Sequence, residues 1–183
     1  MRFSYLLTAA VVTGCSSIHV ASPPPDWPAK TGYGTCEQLA GHYSDHPVVA
    51  PSNPDPSYQG ALSAQLGVWT GTSIPSKERS VHISFLSDKA LTVIVSHGTK
   101  VLVEKQLQLG VQYSCEMGAV VLSSKFRGSS EGMSQDTKNT TSLLRAADAS
   151  LLVQHVRSSN TSEMLIPGRN FAESWYWYRK INK

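Results

Sequence analysis

From Ser80 to the C-terminus, hydrophobic and polar residues alternate in short runs. Val81, Ile83 and Phe85 fall on one side of an extended strand, and His82 and Ser84 on the other. Ser87-Asp88-Lys89 turns the chain, after which Leu91, Val93 and Val95 share a face as far as the turn at Ser96-His97-Gly98. Val101, Val103, Leu107 and Leu109 continue the pattern against Glu104, Gln106 and Gln108, with Lys105 breaking the apolar face and predicting a bulge or a partly exposed stretch. Tyr113, Cys115 and Met117 open another strand, which resumes after Gly118 as Ala119–Leu122; that glycine predicts a bulge or sharp bend. The polar stretch 125–141 has no apolar period and reads as an exposed loop. Strands follow at Ser142–Ala146, Leu151–Val156 and Met164-Leu165-Ile166, the last capped by a turn at Pro167-Gly168. The final one is Ser174–Ile181, with Trp175, Trp177, Arg179 and Ile181 on one side and Tyr176, Tyr178 and Lys180 on the other.

Upstream the pattern is weaker. Thr35 with Gln38 three residues later forms a capping-box pattern, predicting a helical turn or two that stops at Gly41. Gly41–Asp45 reads as the first strand, residues 51–57 as a loop with three prolines, and Ala61–Leu66 as a short helix. Trp69-Thr70-Gly71 is expected to dock on the core.

Together these elements predict a mainly β fold: an antiparallel meander of seven or eight strands with one short N-terminal helix. Sequential strands joined by tight turns pair as antiparallel neighbours. A meander that long exposes two edges, and closing on itself removes them. An up-and-down β-barrel is therefore preferred to a two-sheet sandwich, with the last strand meeting the first near Gly41–Ser44.

The N-terminus changes the picture from fold to address. Met1–Gly14 has Arg2 as its only charge and an apolar run through Leu6, Leu7 and Ala9–Val12, the layout of a secretory signal peptide. The run is far shorter than the roughly 20 residues of a spanning helix. Residues 23–28 (Pro-Pro-Pro-Asp-Trp-Pro) predict an extended tether. Trp27 in it either touches headgroups or a partner, or packs back on its own domain. The expected organisation is a signal peptide over 1–14, a tether over 15–33 and a single β domain over 34–183. Removing Arg2 lowers the formal net charge of +3 by one, a balance that predicts no nucleic-acid partner.

Three cysteines are present. With Cys15 set apart, Cys36 and Cys115 form an even pair, and a disulfide between them is the default in an oxidising compartment. It would close a loop of roughly 80 residues, to which chain entropy assigns on the order of 4 kcal/mol. The alternative is two separate buried thiols.

Candidate chemistry is sparse. His42 and His46 flank Asp45, but on one face of a strand i and i+4 lie about 13 Å apart, too far to share an ion. No metal site or cofactor is expected. A phosphate-cradling loop and a dinucleotide fingerprint are missing from the sequence, and its serines lie mostly in polar stretches, so no catalytic residue and no enzyme activity is predicted. Trp175, Tyr176, Trp177 and Tyr178 are the candidate binding residues, with Arg179 and Lys180 as a basic rim suited to an acidic or glycan partner. Four consecutive rings cannot all face one interior. The outer pair is either covered by Tyr58–Trp69, exposed as a contact patch, or part of an internal ligand pocket.

Val12-Thr13-Gly14-Cys15 resembles the lipobox of bacterial lipoproteins. With it, Cys36…Leu39-Ala40-Gly41-His42-Tyr43, the Leu151-Leu152-Val153 strand before Ile166-Pro167, and the close Trp175–Lys180 resemble a loosely defined group of small proteobacterial lipoproteins of no assigned activity. The resemblance implies that Cys15 carries acyl chains such as palmitate, which hold the chain firmly when there are two or more. Ser16, in place of an aspartate, favours the outer membrane, with the domain facing the periplasm. The barrel layout also resembles lipocalin-like folds, although Gly41-His42-Tyr43 stands where those carry glycine–x–tryptophan. The expected role is structural or accessory, through contacts with an envelope protein partner. The alternative is a lipocalin-like carrier of a small apolar ligand in the barrel interior.

Overall fold

The computed structural model describes residues 23–31, 34–49, 60–86, 90–130, 133–163 and 166–182. Among them nine strands form two antiparallel sheets. The first holds β1 (Gly41–Ser44), β2 (Ser80–Phe85), β3 (Ala90–His97) and β4 (Lys100–Gln108) in that order. The second holds β5 (Tyr113–Glu116), β6 (Ala119–Ser130), β7 (Met133–Arg145), β8 (Leu151–Glu163) and β9 (Ile166–Tyr178). A single-turn helix, α1 (Leu62–Gln65), and two 3-10 turns, Cys36–Leu39 and Ser76–Glu78, make the fold mixed.

The closed, lipocalin-like barrel expected from the meander does not form. At one seam β4 and β5 share the isolated bridge Leu109–Tyr113, and at the other the chain end meets β1 at the isolated bridge Tyr43–Lys180. There Ser44 N donates to Arg179 O at 3.0 Å and Ile181 N to His42 O at 2.8 Å. Closure fails because strand lengths do not match around the ring. β1 and β5 have 4 residues each, whereas β7, β8 and β9 have 13.

The two sheets bury their facing sides instead. Val81, Ile83, Leu91, Val93 and Val95 of the first pack with Val120, Leu143, Leu151, Val153, Tyr176 and Tyr178 of the second, all at most 1% exposed. Leu62 of α1, with Leu66 just after it and Val68, adds to this core. Trp69 is 72% exposed, so Val68 does the docking expected of it. Lys105 itself pairs regularly with Val93 and is partly exposed; the bulge in β4 falls at Leu102, where Val95 pairs with Val103 and Ser96 with Val101.

The largest local correction concerns 125–141. It is not a loop: β6 and β7 pair residue by residue from Val120–Leu143 out to Ser130–Met133. Serine and threonine hold extended backbone well, and a ladder needs no apolar face. With neither distal face covered by the other sheet, the alternation that marks a half-buried strand does not arise. Likewise Pro167 and Gly168 lie inside β9, a sheet edge where proline is tolerated, rather than in a capping turn. Gly118 makes a hairpin turn: Met117 and Gly118 have φ of 50° and 80°, the signs of a type I′ turn. A Cβ on Gly118 would stand 2.7 Å from Gly34 O.

Cys36 and Cys115 form a disulfide, tying the 3-10 turn before β1 to β5 and so one sheet to the other. Cys15 lies outside the described residues, as do residues 1–14, for which a signal peptide is expected. The expectations of a lipoprotein, of palmitate and of an outer-membrane address thus gain no support from the fold, and that of a β-barrel is overturned.

Burial of the core tyrosines has a pH consequence. A tyrosine in an unfolded chain ionises near pH 10. In the fold, desolvation pushes Tyr43 up to about 12 against the opposing charge of Arg145. Tyr178 is raised well above its usual value, by burial first and then by Tyr176 and Asp45. Over that interval the unfolded chain gives up protons that the folded chain keeps. The stability from burying neutral phenols is complete below about pH 10 and is lost as pH rises through the folded values. Tyrosinate absorbance of these two residues should appear only together with loss of near-ultraviolet circular dichroism; their ionisation in a still-folded domain would contradict this.

Candidate functional site

The aromatic tetrad is shared between core and cover. Tyr176 and Tyr178 lie in the core, and the Tyr178 hydroxyl donates to Gly60 O at 2.7 Å. Trp175 and Trp177 face the other side of β9 and are half-buried. Trp175 Nε1 donates to Glu173 Oε1 at 2.8 Å, and Trp177 Nε1 to Ser150 Oγ at 2.8 Å. The Trp27 ring lies 6.2 Å from that of Trp177, and Val48 N donates to Trp177 O at 2.7 Å. The contacts on Trp177 thus come from Trp27 and the Val48–Val49 stretch; Tyr58 and Gln59 of the expected cover lie outside the described residues. No exposed four-ring patch exists on this strand, and Arg179, although exposed, sits at the seam with β1.

This overturns the expected function on both counts. The accessory role through protein contacts would be served by an exposed outer pair, but Trp175 and Trp177 are half-buried and their indole N–H groups are bonded within the domain. The apolar carrier needed a hollow, closed barrel, and the two sheets are open and packed against each other.

The histidines are dispersed. His42 stacks on His82 with ring centroids 4.0 Å apart, and His46 Nδ1 lies 3.0 Å from Ser76 Oγ. Among the described residues no group of three or more His, Cys, Asp or Glu is placed to hold a metal. Asp45, read from sequence only as a possible ligand between histidines, is fully buried and structural. Its Oδ2 lies 2.7 Å from both Nε and Nη2 of Arg79 and accepts from Ser63 Oγ at 3.0 Å. Its Oδ1 accepts from Ser63 N at 2.6 Å. The carboxylate thereby fastens α1 and the start of β2 to the end of β1.

The surface with unspent binding capacity is the distal half of β6–β9, a β-arm whose described side chains are mostly exposed. The pairing register gives two adjacent rows on one face. Lys125, Lys138, Ser158 and Phe171 form the first, and Arg127, Asp136, Asn160 and Arg169 the second. An open concavity of about 530 Å³ lies over Lys125, Arg127, Asp136, Lys138, Ser158 and Asn160. Arg127 Nε donates to Asp136 Oδ1 at 2.7 Å, and this pair raises the Arg127 pKa further. The carboxylate is thus committed to one cation, while Lys125 and Lys138 stand directly opposite each other. Like charges in that position destabilise a strand pair. Phe171, 53% exposed, closes the row at the sheet edge. All these residues fall in stretches that offer no apolar period, so only the register reveals that the cations share a face.

No protein-family model matches this chain, and neither a curated protein nor a solved structure does. The resemblance to small proteobacterial lipoproteins therefore brings no family assignment. Among the described residues no helix is long and apolar enough to cross a membrane.

Proposed function

We propose that this domain binds an acidic glycan along the concave face of its β-arm. The observation that carries the reading is the Lys125–Lys138 pair. Two exposed lysines at directly paired positions cost stability, and an anionic group bound between them converts that repulsion into attraction. The rest of the face suits a sugar polymer. Ser158 and Asn160 offer hydroxyl and amide hydrogen bonds, and Phe171 offers an exposed ring on which the apolar face of a sugar can stack. An open strip across four strands admits a chain rather than enclosing a small molecule.

The location we propose for this activity is the periplasmic side of the outer membrane, with anchorage through Cys15. Its support is the N-terminal sequence together with a disulfide suited to an oxidising compartment.

Affinity electrophoresis of the full chain through gels containing polygalacturonate or neutral dextran tests the function. The protein should be retarded by polygalacturonate alone, and the retardation should vanish in high salt because the contacts are exposed. Lys125→Ser/Lys138→Ser should weaken binding at least about tenfold, whereas the charge-matched control Lys77→Ser/Lys100→Ser should bind normally. Phe171→Ser should weaken polygalacturonate more than polyacrylate, which has no sugar ring. Equal retardation of the two double variants would overturn the reading.

A further inference from the structure

On the opposite side of sheet two from the arm's concave rows, a cleft of about 330 Å³ opens between α1, β4 and the proximal parts of β6 and β7. Its apolar walls are Leu66, Leu107 and Leu122. Gln65, the last residue of α1, lines it and is 3% exposed, yet neither Oε1 nor Nε2 has a hydrogen-bond partner. Asn139 Oδ1, on β7 across the cleft, is likewise buried and unpaired. Folding alone gives no reason to hold a primary amide there. A buried amide without a partner carries its full desolvation cost, and a leucine of similar shape would not. At the mouth, Lys105 interrupts the apolar face of β4 and donates to Gly67 O at 2.8 Å, leaving further donors on the ammonium.

We propose that this cleft binds a small molecule carrying an amide close to a free carboxylate and an apolar side chain, as at the C-terminal end of a short peptide. The assignment follows from complementarity. A primary amide presents one acceptor and two donors side by side, and the group that satisfies both functions at once is another amide. The Lys105 ammonium at the entrance matches the carboxylate, and the leucine walls take the side chain between them. Entry requires the Gln65 side chain to turn toward the incoming group, a rotamer change of the kind common at binding surfaces. The site is independent of the glycan reading: it shares β6 and β7 with the arm but lies on their other face and uses none of the arm's cations.

The test is a titration of the full-length protein with N-acetyl-leucine, followed by the side-chain amide resonances of Gln65 in nitrogen-correlated NMR spectra. These resonances are assigned by their loss in Gln65→Leu. They should move saturably, with a dissociation constant of about 1 mM or below for a ligand of this size. Gln65→Leu should keep or raise the thermal midpoint and abolish binding. Lys105→Met should weaken N-acetyl-leucine several-fold and leave N-acetyl-leucine amide, which has no carboxylate, unchanged. The proposal fails if the Gln65 resonances do not move at saturating ligand. It also fails if the rest of the spectrum responds identically in the folded Gln65→Leu protein, or if Lys105→Met affects acid and amide alike.

Discussion

Asp45→Ala lowers the stability of the domain by about 3–5 kcal/mol, because it leaves a guanidinium shut away from water with no counter-charge. The Arg79 side chain is 10% exposed and that of Asp45 is 0% exposed. Removing the carboxylate also strips Ser63 of acceptors for its backbone N–H and hydroxyl at the start of α1. For a domain of this size the loss corresponds to a fall of about 10 °C in thermal midpoint. The companion variant separates pairing from packing. Asp45→Ala/Arg79→Met removes both charges and should be markedly more stable than Asp45→Ala, since the penalty lies in the orphaned cation. Urea unfolding of the wild type, both single variants and the double variant measures the coupling directly. Simple additivity would show that the ion pair does not organise this corner. Arg79 also donates to Thr70 Oγ1 at 2.8 Å, so part of the effect should reach the segment after α1.

Cys36→Ser/Cys115→Ser should cost a similar amount, about 4 kcal/mol by the chain-entropy account, for a crosslink whose ends are 79 positions apart. The open architecture gives the crosslink a particular job. The sheets meet at their two seams through isolated bridges, and the disulfide spans from the entry of one sheet to the first strand of the other. Its loss should therefore expose the region where Cys36, Phe85, Leu109 and Tyr113 line a common concavity. Hydrogen exchange of the reduced protein and of the double variant should show faster exchange along β5 than along β8. A double variant that keeps the wild-type denaturation midpoint would refute this account.

Much of the fold could be read from residue pattern, and the reason is burial. β2, β3, β4, β5 and the proximal halves of β6–β9 each press one face on the core, so Val81, Ile83, Leu91, Val93, Leu151 and Val153 had to recur at every second position. Legibility ends where burial ends. The described part of 125–141 belongs to a long hairpin, yet its exposed faces carry Lys125, Arg127, Asp136 and Lys138 with no apolar period. The candidate site was hidden for the same reason. A cation pair such as Lys125 and Lys138 is separated along the chain and becomes adjacent only through register. Gln65 was equally silent, since nothing local distinguishes a glutamine that will be buried from one on the surface. The tetrad Trp175–Tyr178 misled in the opposite sense. Its composition left cover, contact patch and ligand pocket all open for the outer pair, and it is Trp27 and Val48–Val49, from far upstream, that lie against Trp177.

From the linear order of residues alone came the antiparallel neighbour pairing, the short helix near Ala61–Leu66 and the pairing of Cys36 with Cys115. Each follows from local periodicity, turn chemistry or the parity of cysteines. Tertiary structure alone decided that the meander stays open as two sheets, that four strands run on into a basic arm, and that Asp45 is a buried counter-ion. Those outcomes depend on matching strand lengths, on register across strands and on which distant segment covers which face. They are relations between residues far apart in the chain, and no single stretch of it contains them.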